Sequence, residues 1–397
     1  MDNLWNEKKA NECKDDLDLR VYSSNLLGQN DELVLHGGGN TSLKSKVDGE
    51  DILHVKGSGW DLATIKAEGF APVKLDVLLE MAKLPSLSDS EMVRQQREGM
   101  IDKSAPNPSV EAILHALIPY KFVNHTHADA IVIISNSREG DEHIVKLFPN
   151  FLIVDYIMPG FELAHKIYEM TKDLEWDSID GIILHNHGIF TFDDDAKKSY
   201  DKMIAAVSKA EAFLDENAEV KIEHKYVHSD CDIAKITKVI SQAKGYDVSL
   251  NINQSPLAAF YASQENLKEF ASRGVLTPEH IIRTKRVPLV MEDTDLEAGV
   301  AKYIQEYKEY FQKYATDEVM LNPAPNYMII KNLAVISFGK DKKEAAVIND
   351  IVNHTMLGVL RADKLGGYQS ISEEESFKME YWELEQAKLK TISEPRF

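Results

Sequence analysis

Three short segments of the sequence carry residues that together could hold a metal ion. The first is Val123-Asn124-His125-Thr126-His127. In an extended strand, residues two apart project from the same face, so His125 and His127 can present two imidazoles to one ion. The second is His185-Asn186-His187-Gly188, a turn between two apolar segments, and the third is Pro108-Ser109-Val110-Glu111. Three histidines and one carboxylate, His125, His127, His187 and Glu111, suit a zinc site that keeps a position for substrate. Imidazole also serves iron, cobalt and nickel, so Zn2+ is the first expectation and another divalent metal the second. Each segment alone has a plainer reading, as histidines partly buried and hydrogen-bonded to backbone. Their combination in one chain is what points to a shared ion.

Other candidates surround this set. His115 lies one helical turn after Glu111 and could orient it, or could simply be a histidine on a helix face. His36 beside the glycine run either lines the site or ends a strand. His185 is expected to point away from His187, since neighbours in extended chain alternate. His224, His228 and Cys231 have a metal-like spacing but fall in a polar connection, which argues against them. Lys56 could supply charge to an anion, or reads more simply as a surface lysine. A two-metal hydrolase site would need a further Asp/His set, and the sequence offers none.

The elements that must position these residues follow from periodicity and turn chemistry. Residues 1 to 28 read as helical, and Glu32 to Leu35 as a short strand entering Gly37-Gly38-Gly39-Asn40. Ile52 to Val55 reads as a strand running into Lys56-Gly57-Ser58-Gly59. Asn107-Pro108 is expected to cap and open a helix with Val110, Ile113, Leu114 and Leu117 on its apolar face, ended by Pro119. A strand is expected within 121–135 and another within 181–192. Asp193-Asp194-Asp195 then starts a long helix through Leu214. A polar connection follows, to about Asp232. The remainder mixes helix and strand, and Ser372 to Lys390 reads as a charged helix. Without gaps, Asp180 to Phe192 aligns with Asn326 to Phe338: apolar positions coincide, Asn186 meets Asn332, and His187 meets Leu333. A degenerate copy that lacks the metal position is one reading of this echo, and chance recurrence of a common unit is the other.

Composition bounds the function. A chain of 397 residues has room for two or three domains. A net charge of −20 repels nucleic acid and anionic lipid, so no nucleic acid and no membrane is expected as partner. No apolar run is long enough to span a bilayer, and the first 16 residues lack the apolar core of a signal peptide. With two cysteines, Cys13 and Cys231, a reducing, cytoplasmic setting is expected. An anionic substrate would need metal, backbone N–H groups or placed lysines to overcome the field of the surface.

Gly-Gly-Gly-Asn-Thr-Ser at 37–42, Lys-Gly-Ser-Gly-Trp at 56–60, Pro-Ser-Val-Glu at 108–111, His-Thr-His at 125–127 and Asn-His-Gly at 186–188 resemble the class II aldolase/adducin family. Two later stretches, Thr277 to Lys285 and Met379 to Lys388, look like the aldolase half of fusions of rhamnulose-1-phosphate aldolase with an alcohol dehydrogenase. The dehydrogenase half is not expected here, because no Gly-X-Gly-X-X-Gly follows a strand. The resemblance implies an α/β fold: a class II aldolase-like layered domain over 1–235, its central, mostly antiparallel sheet flanked by helices. A C-terminal α/β domain over 236–397, ending in a charged helix, would follow. It implies that His125, His127 and His187 ligate the metal. Glu111 would be a fourth ligand at rest and the proton-transferring group in turnover. Asn40, Ser58, Gly59 and Ser109 match the family's phosphate-binding positions. Gly-rich turns and a helix N-terminus give that match a physical reading. The family often has a second hydroxyl after this serine, where this chain has Val110. The implied reaction is reversible cleavage of a ketose 1-phosphate, rhamnulose 1-phosphate first, to dihydroxyacetone phosphate and an aldehyde by a homo-oligomeric enzyme. Sugar-phosphate epimerisation or decarboxylation at the same site is the alternative chemistry. A non-catalytic, adducin-like interaction module is the alternative class, disfavoured because a scaffold has no need of the histidines and Glu111.

Overall fold

The computed structural model describes residues 1–222, 232–293 and 295–384. His224, His228, Cys231 and the far end of the expected C-terminal helix lie outside them. The chain divides into two compact units. One comprises Met1–Ser135 with Gly140–Asp215, the other Asn136–Glu139 with Glu216–Phe397. Among the described residues no helix is long and apolar enough to cross a membrane.

The first unit is built on seven strands: β1 (Asn40–Val47), β2 (Glu50–Lys56), β3 (Phe70–Lys74), β4 (Phe122–Thr126), β5 (Phe151–Val154), β6 (Gly181–Leu184) and β7 (Gly188–Asp193). They form one sheet in the order β3-β2-β1-β4-β7-β6-β5. Every pairing is antiparallel except β5 with β6. β4, β6 and most of β7 are buried throughout, as strands covered on both faces must be. One apolar cluster joins Val123, Ile182, Phe190 and Phe192 to Leu163 and Ile167 of the helix Phe161–Thr171. Another joins Leu53, Val55 and Val73 to Leu78, Met81 and Ile113 of two further helices. This is the α/β architecture with a mostly antiparallel central sheet that the sequence suggests.

Three local expectations are corrected. Glu32 to Leu35 is not a strand: Leu33 and Val34 donate their backbone N–H groups to the Asn30 carbonyl, closing a turn. The strand begins after the glycine run, at Asn40. Second, Asn107-Pro108 does not open a helix. Pro108 forms an isolated bridge with Gly57, and the Ser109 N–H donates to the Lys56 carbonyl at 3.0 Å. The helix starts only at Ala112, with Glu111 at its N-cap position. Here β pairing outside the segment overrides a sound local capping signal. Third, within the described residues the expected C-terminal helix is not continuous: it runs over Glu373–Glu380 and breaks at Tyr381 and Trp382.

Among the described residues the second unit holds four strands, β8 (Ser249–Asn253), β9 (Leu289–Met291), β10 (Tyr327–Ile330) and β11 (Ala334–Gly339), in the order β8-β11-β10-β9. β9 and β10 are parallel, and the other pairings are antiparallel. The same arrangement, β4-β7-β6-β5, occurs in the first unit, again with its last pair parallel. In both, a helix joins the parallel strands and a long helix follows the hairpin: Phe161–Thr171 and Ala196–Asn217, then Leu296–Tyr314 and Lys342–Lys364. The bounds of β10 and β11 coincide with those of β6 and β7 in the gapless alignment. Asn186 and Asn332 share a left-handed backbone at φ 57 and φ 60. The turn hydrogen bond from His187 N to Leu184 O at 3.2 Å has its counterpart from Leu333 N to Ile330 O at 3.0 Å. Leu333 packs with Met328, Ala334 and Ile336, so apolar packing stands at the position that a histidine holds in the first unit.

Candidate metal centre

β4 carries His125 at its buried end, and His127 follows directly after the strand. The tight β6–β7 turn delivers His187 to the same place. The side-chain nitrogens of His125, His127 and His187 all lie within 4.8 Å of one another, and among the described residues no other group of His, Cys, Asp or Glu gathers in this way. His125 Nδ1 lies 3.1 Å from the Ile189 carbonyl. That oxygen only accepts, so Nδ1 carries the hydrogen and Nε2 keeps its lone pair. His125 Nε2 is 3.0 Å from His127 Nε2, a separation at which two ring nitrogens need a proton or a cation between them. A ring nitrogen tied to a backbone carbonyl is the usual outer support of a metal-binding imidazole. Phe190 stacks on His125 with ring centroids 4.1 Å apart and fixes its plane.

Glu111 closes the set. Its side chain is only 5% exposed. Oε1 lies 3.6 Å from His187 Nε2, and Oε2 lies 3.5 Å from His125 Nε2. Glu111 Oε1 is buried and accepts no hydrogen bond. A buried carboxylate oxygen left in this way is costly unless a cation or proton joins it. Three converging imidazoles and an orphaned carboxylate oxygen therefore fit a divalent ion.

Asn40 is buried at the start of β1 and sits opposite His125 in the β1–β4 ladder. Ser58 and Gly59 are exposed in the turn after β2. Ser109 is half-buried, and its Oγ accepts from the Glu111 N–H at 3.3 Å. The Ser58 N–H donates to the Asn107 carbonyl at 2.8 Å, so the 56–59 and 107–109 segments run side by side. Val110 packs against an apolar cluster instead of offering a hydroxyl. His185 leaves the cluster, its Nδ1 3.3 Å from Asp141.

Lys56 is not a surface lysine. It is 4% exposed, and its Nζ donates to the Gly37 carbonyl at 2.9 Å. Burial pushes its ammonium down to about 8 against the opposing pull of Asp61 and Glu111. Sequence reading missed this because nothing local to Lys-Gly-Ser-Gly shows that the Gly37 turn folds over it. Ser42 was missed entirely: its Oγ is 2.8 Å from His115 Nδ1, a contact across 73 positions of chain.

Two glycines let these strands close up. A Cβ on Gly39, whose φ is +61, would sit 2.7 Å from the His125 carbonyl oxygen. A Cβ on Gly188 would sit 2.3 Å from the Thr126 carbonyl oxygen and 3.1 Å from the His125 ring. Gly188→Ala is therefore expected to destabilise the fold by about 1–3 kcal/mol through overpacking. It should also weaken divalent-ion binding by about 10-fold through displaced imidazoles. Thermal melting and metal titration of the purified variant check both. Unchanged metal affinity would separate this turn from the centre.

Two family models match the chain, one over each half. Residues 20–214 match the model of the class II aldolase and adducin N-terminal domain, and residues 229–389 that of the class II aldolase second domain. The N-terminal class II aldolase domain of a conserved protein from Thermoplasma acidophilum is 42% identical over 54% of this chain and 99% of that one, with a TM-score of 0.50. An L-fuculose-1-phosphate aldolase from Thermus thermophilus is 16% identical over 50% of this chain and 95% of its own, with a TM-score of 0.34. An uncharacterized oxidoreductase of Bacillus subtilis, YuxG, is 30% identical over 99% of this chain. The chain spans only 60% of the length of that curated relative. By its motifs, its sheet, its histidine cluster and the match of its N-terminal half, the chain belongs to the class II aldolase/adducin family.

Proposed function

We propose that the first unit is a divalent-metal-dependent aldolase centre that reversibly cleaves a ketose 1-phosphate to dihydroxyacetone phosphate and an aldehyde. Rhamnulose 1-phosphate is the first substrate to try, and a homo-oligomer the form expected to work. The observation that carries this reading is the convergence of His125, His127 and His187 beside Glu111, whose buried Oε1 accepts no hydrogen bond. The three histidines would hold the ion, zinc first, with Glu111 as a fourth ligand at rest. When bound, such an ion supplies Lewis-acid stabilisation of the negative charge that develops as the carbon–carbon bond breaks.

The chain's own residues do the rest. Glu111 would exchange a proton with the carbon next to the ketone of dihydroxyacetone phosphate. In the direction of synthesis the carboxylate takes that proton, and the carbon then attacks the aldehyde. In cleavage the same carboxyl returns it. Asn40 at the start of β1, with the Ser58 and Ser109 hydroxyls and the Gly59 N–H of two adjoining turns, would receive the phosphate. Lys56, at the end of β2, would bring a positive charge, its Nζ held by the Gly37 carbonyl.

The test is to incubate the purified protein with dihydroxyacetone phosphate and a panel of short aldehydes, with and without a chelator. A ketose 1-phosphate should form, its formation should stop with the chelator, and an added divalent metal should restore it. No condensation with any aldehyde, together with metal-dependent epimerisation or release of carbon dioxide from a sugar phosphate, would replace the aldolase reading.

A further inference from the structure

We propose that His115 and Ser42 are positioning residues for Glu111, acting through Asn40. The proposal rests on Glu111 as the proton-transferring group. Three hydrogen bonds connect these four residues in a line. Asn40 Nδ2 donates to Glu111 Oε2 at 2.6 Å. His115 Nε2 donates to Asn40 Oδ1. Ser42 Oγ donates to His115 Nδ1 at 2.8 Å.

The directions follow from chemistry. A carboxylate accepts only, so the Asn40 amide must turn its NH2 toward Glu111 and its oxygen toward His115. An amide oxygen also accepts only, so His115 Nε2 must carry the hydrogen. In a neutral imidazole Nδ1 is then the acceptor, and the Ser42 hydroxyl is the donor that matches it. One tautomer of His115 thus fixes one orientation of the amide, which holds one oxygen of Glu111. The other oxygen faces His187.

The surroundings keep His115 in that state. Its ring, like Ser42, is fully buried. Burial, with His125, Lys44 and Arg20 nearby, holds its pKa well below the usual histidine range. Lys44 Nζ donates to the His115 carbonyl at 2.7 Å. Phe190 meets the His115 ring edge-on at 5.4 Å and stacks on His125 with its own face, so one side chain spaces both imidazoles. Glu111 and His115 are one helical turn apart, yet they are joined through a residue of the neighbouring sheet and not directly. Asn40 gains a second role as well. By family resemblance it is a phosphate contact, but here its amide is committed to the carboxylate.

The experiment compares His115→Phe, His115→Gln and Ser42→Ala with the parent protein in four measurements. These are metal content, KM for the phosphorylated substrate, kcat, and hydrogen exchange at the carbon next to the ketone of dihydroxyacetone phosphate. His115→Phe should lower kcat and exchange together by about 10- to 100-fold, with metal content and KM little changed. His115→Gln, which can still donate to Asn40 Oδ1, should recover much of the loss. Ser42→Ala removes only a hydroxyl, so it reports even if His115→Phe folds poorly; it should lower exchange to a smaller extent. In metal-free parent protein, imidazole nitrogen NMR should show His115 with its hydrogen on Nε2. A hydrogen on Nδ1 would overturn the proposal. So would a change confined to KM, or glutamine doing no better than phenylalanine. Glu111→Gln belongs in the same series. If it abolishes exchange while the His115 and Ser42 variants leave it intact, the positioning role fails and the proton-transfer reading stands. If it leaves exchange intact, both fail.

Discussion

Replacing both His125 and His187 by alanine should leave purified protein with almost no bound divalent metal, where the parent carries about one ion per chain. The expected loss is large because the two changes remove two of the three converging imidazoles. A single histidine with one carboxylate holds zinc weakly against water. Activity should fall below detection in the same preparation. Part of the effect will be structural. His125 is fully buried and stacked on Phe190 at 4.1 Å, so its removal also leaves a gap in the core. His185→Ala supplies the control. It removes a buried imidazole two residues from His187, but one that faces Asp141. It should keep its metal. Elemental analysis of both proteins, with thermal melting to show that each is folded, decides the matter. Full metal retention by a folded double variant would sink the site.

Glu111→Gln should give a folded protein that keeps some metal and turns over about 10²- to 10⁴-fold more slowly. Glutamine matches the shape of glutamate, and its amide oxygen can still accept from Asn40 Nδ2 in place of Oε2. What it cannot do is take up and return a proton. Hydrogen exchange into dihydroxyacetone phosphate should fall in step with turnover, since both use the same carboxyl. Because Glu111 is almost fully buried, losing its charge also lifts a desolvation cost, so stability should hold or rise when no metal is present. Exchange at the parent rate would assign proton transfer to another group.

The sequence by itself determined the ingredients of the site and the form of the hairpins. His-X-His sits at the end of a buried apolar strand, and two-residue alternation alone puts both rings on one side. The Asn-His-Gly turn is equally local. Asn186 tolerates the left-handed backbone that the turn requires, and Asn332 does the same at the aligned position. That is why the echo between the two halves could be read from the chain, with Leu333 aligned to His187.

Only the tertiary structure decided which residues support that site. The helix bearing Glu111 begins later than its Asn-Pro signal suggests, because Pro108 and Ser109 pair with the turn after β2. The first strand follows the glycine run instead of preceding it, since Gly39 alone can approach the His125 carbonyl closely enough to start the β1–β4 ladder. Lys56 is buried because a distant turn folds over it. Ser42, Asn40 and His115 meet because that same ladder places β1 against the strand of His125, while the helix after Glu111 brings His115 to β1 from another layer. The physical reason is one of range. Backbone dihedrals and side-chain alternation are set within a few residues, so they are written locally. Strand register and layer packing join positions some 70 residues apart, and no local pattern in the chain carries that information.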